Sequence, residues 1–394
     1  MIQAILSNKD HPEYGEVTIP FPIKRDEYDH YIGLVEALEI GDASRQDCQV
    51  EEILGAWPVL KRLENTQVNL DELDYLAKRL DSFNTGKTAQ FQAMAEKLEL
   101  HSMKDLINLT FCCQQATVIT DFSNLETVGR DHYINLYGSH ARTEEFNALD
   151  GHETALLLIG SGAGTITPYG VVYDNGMKLT QLYDGKHLPD CNESDMLTLG
   201  LTSRFEPEDT EKVTWFHFPA TRAQIDRTLL RSGIMNQSDM RFRLGESKFP
   251  EEINAVLDFE RESIYELNEL ATAVEDFSEE NFIKLGAAVT MANPQSAEQI
   301  RRLAENLELF EFAPSAHTPA EYGKYMIQES GYFKYDPNLE EFYDYEKYGR
   351  QYMDQESGMV TTQGYGSYHG DISLDELMTE GSAEQYQQGM GGMA

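Results

Sequence analysis

Apolar positions spaced three and four apart mark a series of helices, and each helix signal in the first half of the chain returns in the second. Tyr28, Ile32 and Val35 recur at helical spacing after a strand-like run, VTIPFP, that ends in Phe21-Pro22. Ile225 and Leu229 take the places of Tyr28 and Ile32 after VTWFHFP, which ends in Phe218-Pro219. ELDYLAKRLDSFN, from Glu72, and ELNELATAVEDFS, from Glu266, keep Glu, Leu, Leu, Ala and Phe in register and read as amphipathic helices. A further helix follows each, from Phe91 and from Phe282, and another opens near Ser102 and Ser296, both serines being suitable N-caps.

The parallel runs on in order. DCQVEEILGAWP sets Trp57 opposite Phe249 of DMRFRLGESKFP. Gly129-Arg130 answers Gly323-Lys324, and Glu144-Glu145-Phe146 answers Glu340-Glu341-Phe342. Thr165 with Tyr169-Gly170 answers Thr361 with Tyr365-Gly366. The spacings all fall between 191 and 197 residues, which implies a chain written twice.

Each copy reads as a mixed α/β module, a helical module and a strand-rich module with turn glycines. The expected boundaries are 1–64, 65–115 and 116–190, then 191–258, 259–308 and 309–371, with 372–394 a flexible tail that opens on a short helical pattern. Strand and helix regions stand apart without βαβ alternation, so the fold class is α+β, a tandem array of small modules.

Composition then narrows the function. The 394 residues carry a formal net charge of -37, with an acidic excess of 17 in residues 1–200 and of 20 in the remainder, so the charge is spread over folded surface. Such a field repels nucleic acid and anionic membrane and draws basic partners at long range. The chain is therefore expected to bind no nucleic acid directly and no membrane. Four cysteines, Cys48, Cys112, Cys113 and Cys191, form no CxxC pair, and the first residues have no basic-then-apolar leader pattern, so a reduced, cytoplasmic protein is expected.

The most enzyme-like string is ALLLIGSGAGTITPYG, where Gly160, Gly162 and Gly164 follow an apolar run. A phosphate loop opens a helix. Here Thr165 to Thr167 resume a strand pattern, so a glycine-rich hairpin turn is the expectation. The histidines are scattered, paired carboxylates are too common to single out a catalytic pair, and no catalytic, metal or cofactor site is expected.

Carboxylates three or four residues apart on one helix face lie roughly 5–6 Å apart, close to the phosphate step of a nucleic-acid strand. Asp71, Asp74 and Asp81 make such a row with Lys78, and Glu262, Glu266, Glu269 and Glu298, Glu305, Glu308 make two more. Glu340, Glu341, Asp344 and Glu346 add to them within a tyrosine-rich stretch, Tyr322 to Gly370, whose rings can bury while the carboxylates stay wet. Proteins that bind DNA hold its phosphates by charge and position, and carboxylates could occupy the same groove. Arg222, Arg227, Arg231, Arg241 and Arg243 interrupt this acidity and are expected to face carboxylates of the other copy or of another subunit.

From Glu321 onward the runs YGKYMIQESG, NLEEFYDYEKYGRQYMDQESGMVTT and GYGSYHG resemble the C-terminal part of the ArdA antirestriction family. Tyr325, Ile327, Glu329 and Gly331 match one family run, and Asp344, Tyr345, Tyr348, Gly349 and Arg350 match its D-Y-x-x-Y-G-R segment. Gln351 stands where the family has Asp, and the first copy has NALDGHETALL in place of that segment.

The resemblance implies a protein of bacterial mobile elements, at work in the host cytoplasm, that mimics bent duplex DNA. It would catalyse nothing, and would block type I restriction-modification enzymes by filling their DNA groove. It also implies an elongated, curved body, a possible homodimer, and a special role for the family antirestriction-motif residues Asp344, Tyr345, Gly349 and Arg350. Family members are about half as long, so the second copy either replaces a dimer partner or lengthens a dimeric mimic. The mimic's target would be such an enzyme or another DNA-binding defence complex; the alternative function is an acidic scaffold or adaptor that binds a basic protein without competing with DNA.

Overall fold

The computed structural model describes residues 2–191, 195–208, 210–234, 236–356 and 358–380. The chain divides into two compact units, one of residues 1–192, 202–215 and 221–239, the other of 193–201, 216–220 and 240–394. It is mixed helix and strand with several small separate sheets, an α+β protein.

The first unit opens with strands β1 (Ile2–Ser7) and β2 (Glu16–Phe21), helix α1 (Arg25–Ala37), and strands β3 (Cys48–Gly55) and β4 (Gln67–Val68). They form an antiparallel sheet in the order β2-β1-β3-β4. Period-two alternation sends Ile2, Ala4 and Leu6 inward, and α1 covers them with Tyr28, Ile32 and Val35, the residues its spacing selects. Helices α2 (Leu70–Asp81), α3 (Thr85–Lys97) and α4 (Met103–Leu109) follow. Trp57, Phe83 and Phe91 meet edge to face in this core. Cys112 and Cys113 are fully buried free thiols, and burial pushes Cys113 up to about 12.

Next come β5 (Thr117–Ile119), α5 (Leu125–Tyr137), α6 (Thr143–Ala148), α7 (Gly151–Gly160), β6 (Thr165–Thr167) and β7 (Gly170–Tyr173), with the sheet ordered β5-β7-β6. Helix α7 corrects an expectation. The apolar run ALLLIG is helix, because Asp150 caps its N-terminus by accepting from the Glu153 amide at 2.9 Å. Gly162, at φ +66°, therefore follows a helix C-terminus and does not form a hairpin turn between strands.

Strands β8 (Leu197–Ser203) and β9 (Thr214–Phe218) precede α8 (Arg222–Ser232), and β10 (Met240–Ser247) completes a sheet ordered β10-β8-β9. Helix α8 groups with the first unit, although its sequence pattern assigns it to the second copy. The Phe21-Pro22 and Phe218-Pro219 peptides are both cis.

In the second unit α9 (Glu251–Val256) leads into α10 (Ile264–Val274), α11 (Glu279–Ala292) and α12 (Ala297–Glu305), whose core includes Leu267, Leu270, Leu285, Ile300 and Leu303. Then follow β11 (Phe310–Pro314), α13 (Pro319–Gln328), α14 (Tyr345–Gln355), β12 (Gly358–Val360) and β13 (Gly364–Tyr368), with the sheet ordered β11-β13-β12. Helix α15 (Leu374–Glu380) buries Leu377 and Met378 and packs on α12, so the segment expected to be a flexible tail begins as an anchored helix. The rest of that tail, 381–394, lies outside the described residues.

Five N-cap side chains in the first unit, on Asn69, Asn84, Ser102, Asn124 and Asp150, have counterparts 194 residues later at Ser263, Ser278, Ser296, Thr318 and Asp344. The same spacing relates two turns. Thr167 Oγ1 donates to the Gly170 carbonyl and Thr361 Oγ1 to the Gly364 carbonyl, each at 2.8 Å.

Candidate functional site

The carboxylate rows are the natural place to look for a surface that acts on a partner, and the fold sorts them unevenly. On α2 the row is used up internally. Asp74 is buried and accepts the Ile23 amide at 2.7 Å, with Lys78 at 3.8 Å. Asp71 takes both hydrogen bonds of a bidentate pair from Arg227 of α8, each 3.0 Å long. Burial works against the Arg227 charge, but Asp71 more than offsets it and holds the guanidinium protonated. Of this row, only Asp81 is exposed.

One turn further along α8, Arg231 enters a closed polar cluster. It reaches Glu72 at 3.2 Å, Asn69 Oδ1 at 2.7 Å and the Tyr183 hydroxyl, which itself bonds Glu72. Arg227 and Arg231 thus do face carboxylates, those of α2 in the same unit. A four-residue spacing, which sets both arginines on one helix face, was the available signal. Glu72, Asn69 and Tyr183 gave none, since their partners are distant in sequence.

The α10 and α12 rows are partly neutralised as well. Arg301 lies 4.0 Å from Glu266, 3.4 Å from Glu269 and 2.7 Å from Glu305, and Arg302 bonds Glu298 at 2.5 Å. Glu262 is buried, which takes it off the surface, and burial raises its pKa and that of Glu266. Glu308 is exposed, with no lysine or arginine nitrogen within 4 Å among the described residues.

The tyrosine-rich stretch keeps its carboxylates outside. Glu340 and Glu341 are exposed on the turn 337–342, and Asp344 and Glu346 are exposed at the start of α14. Beneath them α13 and α14 cross so closely that side chains are excluded at the contact. A Cβ on Gly323 would overlap the Tyr345 carbonyl, and one on Gly349 would overlap the Pro319 carbonyl. Asp344 caps α14 by accepting the Lys347 amide at 3.1 Å, and the Tyr345 hydroxyl meets Gln328 Nε2 at 2.7 Å. Three of the four motif residues, Asp344, Tyr345 and Gly349, therefore build the crossing. Arg350 takes no part in the crossing and is exposed, pairing with Glu346 at 2.6 Å.

Helices α5 and α7 cross in the same manner, Gly129 lying against the Gly151 carbonyl. The position 194 residues before Gly349 is Ala155, fully buried. NALDGHETALL thus keeps the cap and the small residue of the motif without its tyrosines.

The fold and surface define an acidic α+β protein that presents carboxylates on a firm helix-crossed scaffold. Residues 212–367 match the family model of the antirestriction protein (ArdA), a span that runs from just before β9 into β13 and contains the α13–α14 crossing. No curated protein matches the chain. Among the described residues no helix is long and apolar enough to cross a membrane.

Proposed function

We propose that this protein is an antirestriction inhibitor that catalyses no reaction and acts as a DNA mimic, its exposed carboxylates occupying the DNA groove of a type I restriction-modification enzyme. The family match over residues 212–367 carries the reading. The net charge of -37 supports it, since a basic groove attracts such a surface at long range. Of the carboxylates singled out in the sequence, Asp81, Glu269, Glu305, Glu308, Glu340, Glu341, Asp344 and Glu346 are exposed, a shorter set than the sequence rows suggested.

The chain is a tandem duplication on the same reading. Five helix caps, one threonine turn and one glycine crossing recur at one spacing, and the two sheets β5-β7-β6 and β11-β13-β12 share an order. Repetition of this kind follows from copying a unit. A bacterial cytoplasmic setting and a homodimer belong to the same proposal.

A second reading, an acidic adaptor that leaves its partner's DNA site open, is favoured by the arginines set among the α10 and α12 carboxylates, which break the evenness a phosphate mimic needs. Competition between this protein and duplex DNA for a type I modification enzyme, run across a salt series, separates the two. Mimicry gives displacement of DNA that weakens steeply with salt. A ternary complex with DNA retained overturns it.

A further inference from the structure

A cleft of about 340 Å³ opens along β11, the edge strand of the β11-β13-β12 sheet. One wall is aromatic. Tyr322 and Tyr325 come from α13, Tyr332 follows it, and the Tyr322 ring packs on Tyr365 with centroids 4.4 Å apart. The other wall is charged, with Glu280 and Lys284 from α11, Glu308 from the turn before β11, and Glu311 from β11 itself.

Three carboxylates thus share the cleft with one ammonium, and they are not neutralised by contact. Among the described residues no lysine or arginine nitrogen lies within 4 Å of Glu280, Glu308 or Glu311, so all three act on the Lys284 ammonium only through space. The α10 and α12 glutamates are the opposite case, gathered around Arg301 and Arg302. Glu311 is also held in place, its Oε1 accepting the Tyr332 hydroxyl at 2.5 Å while Oε2 keeps only His369, 3.9 Å away. Tyrosine faces beside unneutralised carboxylates form a receptor for a flat organic cation, which stacks on the rings and donates to the carboxylates at once. Guanidinium suits both walls better than ammonium, being planar and weakly hydrated.

We infer that this cleft takes a single arginine side chain of the partner protein. The volume is at the small end for ligand sites, fit for one side chain. The inference rests on the proposed reading in one respect, that the partner presents a basic DNA-binding surface.

The test uses the full chain labelled with 3-fluorotyrosine, titrated with N-acetyl-arginine methylamide and followed by fluorine NMR, with Tyr325 and Tyr332 assigned from their Phe variants. The neutral isostere N-acetyl-citrulline methylamide is the control. The expected result is saturable movement of the Tyr325 and Tyr332 resonances by the arginine compound, with citrulline at least tenfold weaker. Glu308→Gln and Glu311→Gln should each weaken binding about tenfold, the loss of one charge-assisted hydrogen bond. Equal binding of citrulline, unmoved resonances, or unchanged binding by the Glu308→Gln variant overturns the inference. Glu308 is exposed and in no ion pair with lysine or arginine among the described residues, so its variant should fold even if Glu311→Gln does not. No restriction enzyme enters this assay, so its failure leaves the DNA-competition result standing, and the reverse also holds.

Discussion

Gly349 of α14 lies so close to the Pro319 carbonyl of α13 that the position has no room for a Cβ. Gly323 makes the reciprocal approach to Tyr345, so the two helices touch backbone to backbone. Gly349→Ala must push α13 and α14 apart, in the way overpacking strains a core. We expect a loss of about 3 kcal/mol in urea-induced unfolding, at the upper end for overpacking. Loss of inhibition in this variant would then report a broken scaffold and would not identify a contact.

Arg350 is the counter-case. Its pair with Glu346 is more than half exposed on both sides and is expected to add under about 0.5 kcal/mol. Arg350→Ala should keep its melting temperature within a degree or two of the parent. A tenfold drop in inhibition at unchanged stability would assign Arg350 to the interface; unchanged inhibition would make the motif wholly architectural.

Arg231 and Glu72 are both buried, with side chains 7% and 5% exposed, so removing one leaves a stranded charge. Arg231→Met should cost about 3–5 kcal/mol in chemical denaturation. Adding Glu72→Gln should recover a large part of that loss, because the uncompensated carboxylate goes with it. Equal losses in single and double variants would show that the cluster is held by packing alone.

Asp184 provides a pH handle. Burial pushes its carboxyl up, but hydrogen bonds from the His187 amide and ring and from the Lys186 amide outweigh this and leave it at about 2. A folded value below the ordinary one contributes stability that is complete above about pH 4 and lost as the pH falls through about 2. The Asp184 side chain is 46% exposed, so solvent screens the pair and we expect Asp184→Asn to cost only about 1 kcal/mol at pH 7. The difference between parent and variant should shrink as urea unfolding is repeated toward pH 2.5. A gap that stays constant with pH would show that the charge is not what Asp184 contributes.

Local chemistry was readable in the sequence. Ser102 and Ser296 cap helices where their positions suggest, and Tyr28, Ile32 and Val35 face the sheet, because capping and amphipathic spacing depend on neighbours a few residues away. The run ALLLIG was misread for the same reason. Six residues of this kind fit a strand or a buried helix equally, and the capping hydrogen bond is accepted by Asp150, five residues before the run.

Which carboxylates are surface and which are structure was settled only by the tertiary fold. Asp71, Glu72 and Asp74 look like any acidic helix face until Arg227, Arg231 and the Ile23 amide arrive from 156, 159 and 51 residues away. A carboxylate entering the interior must find a partner, and that partner is chosen by packing across the chain. The sequence by itself determined the acidity, the helix caps and the repeated spacing. The tertiary structure decided where that acidity is cancelled and where, as around β11 and at the start of α14, it is left facing outward.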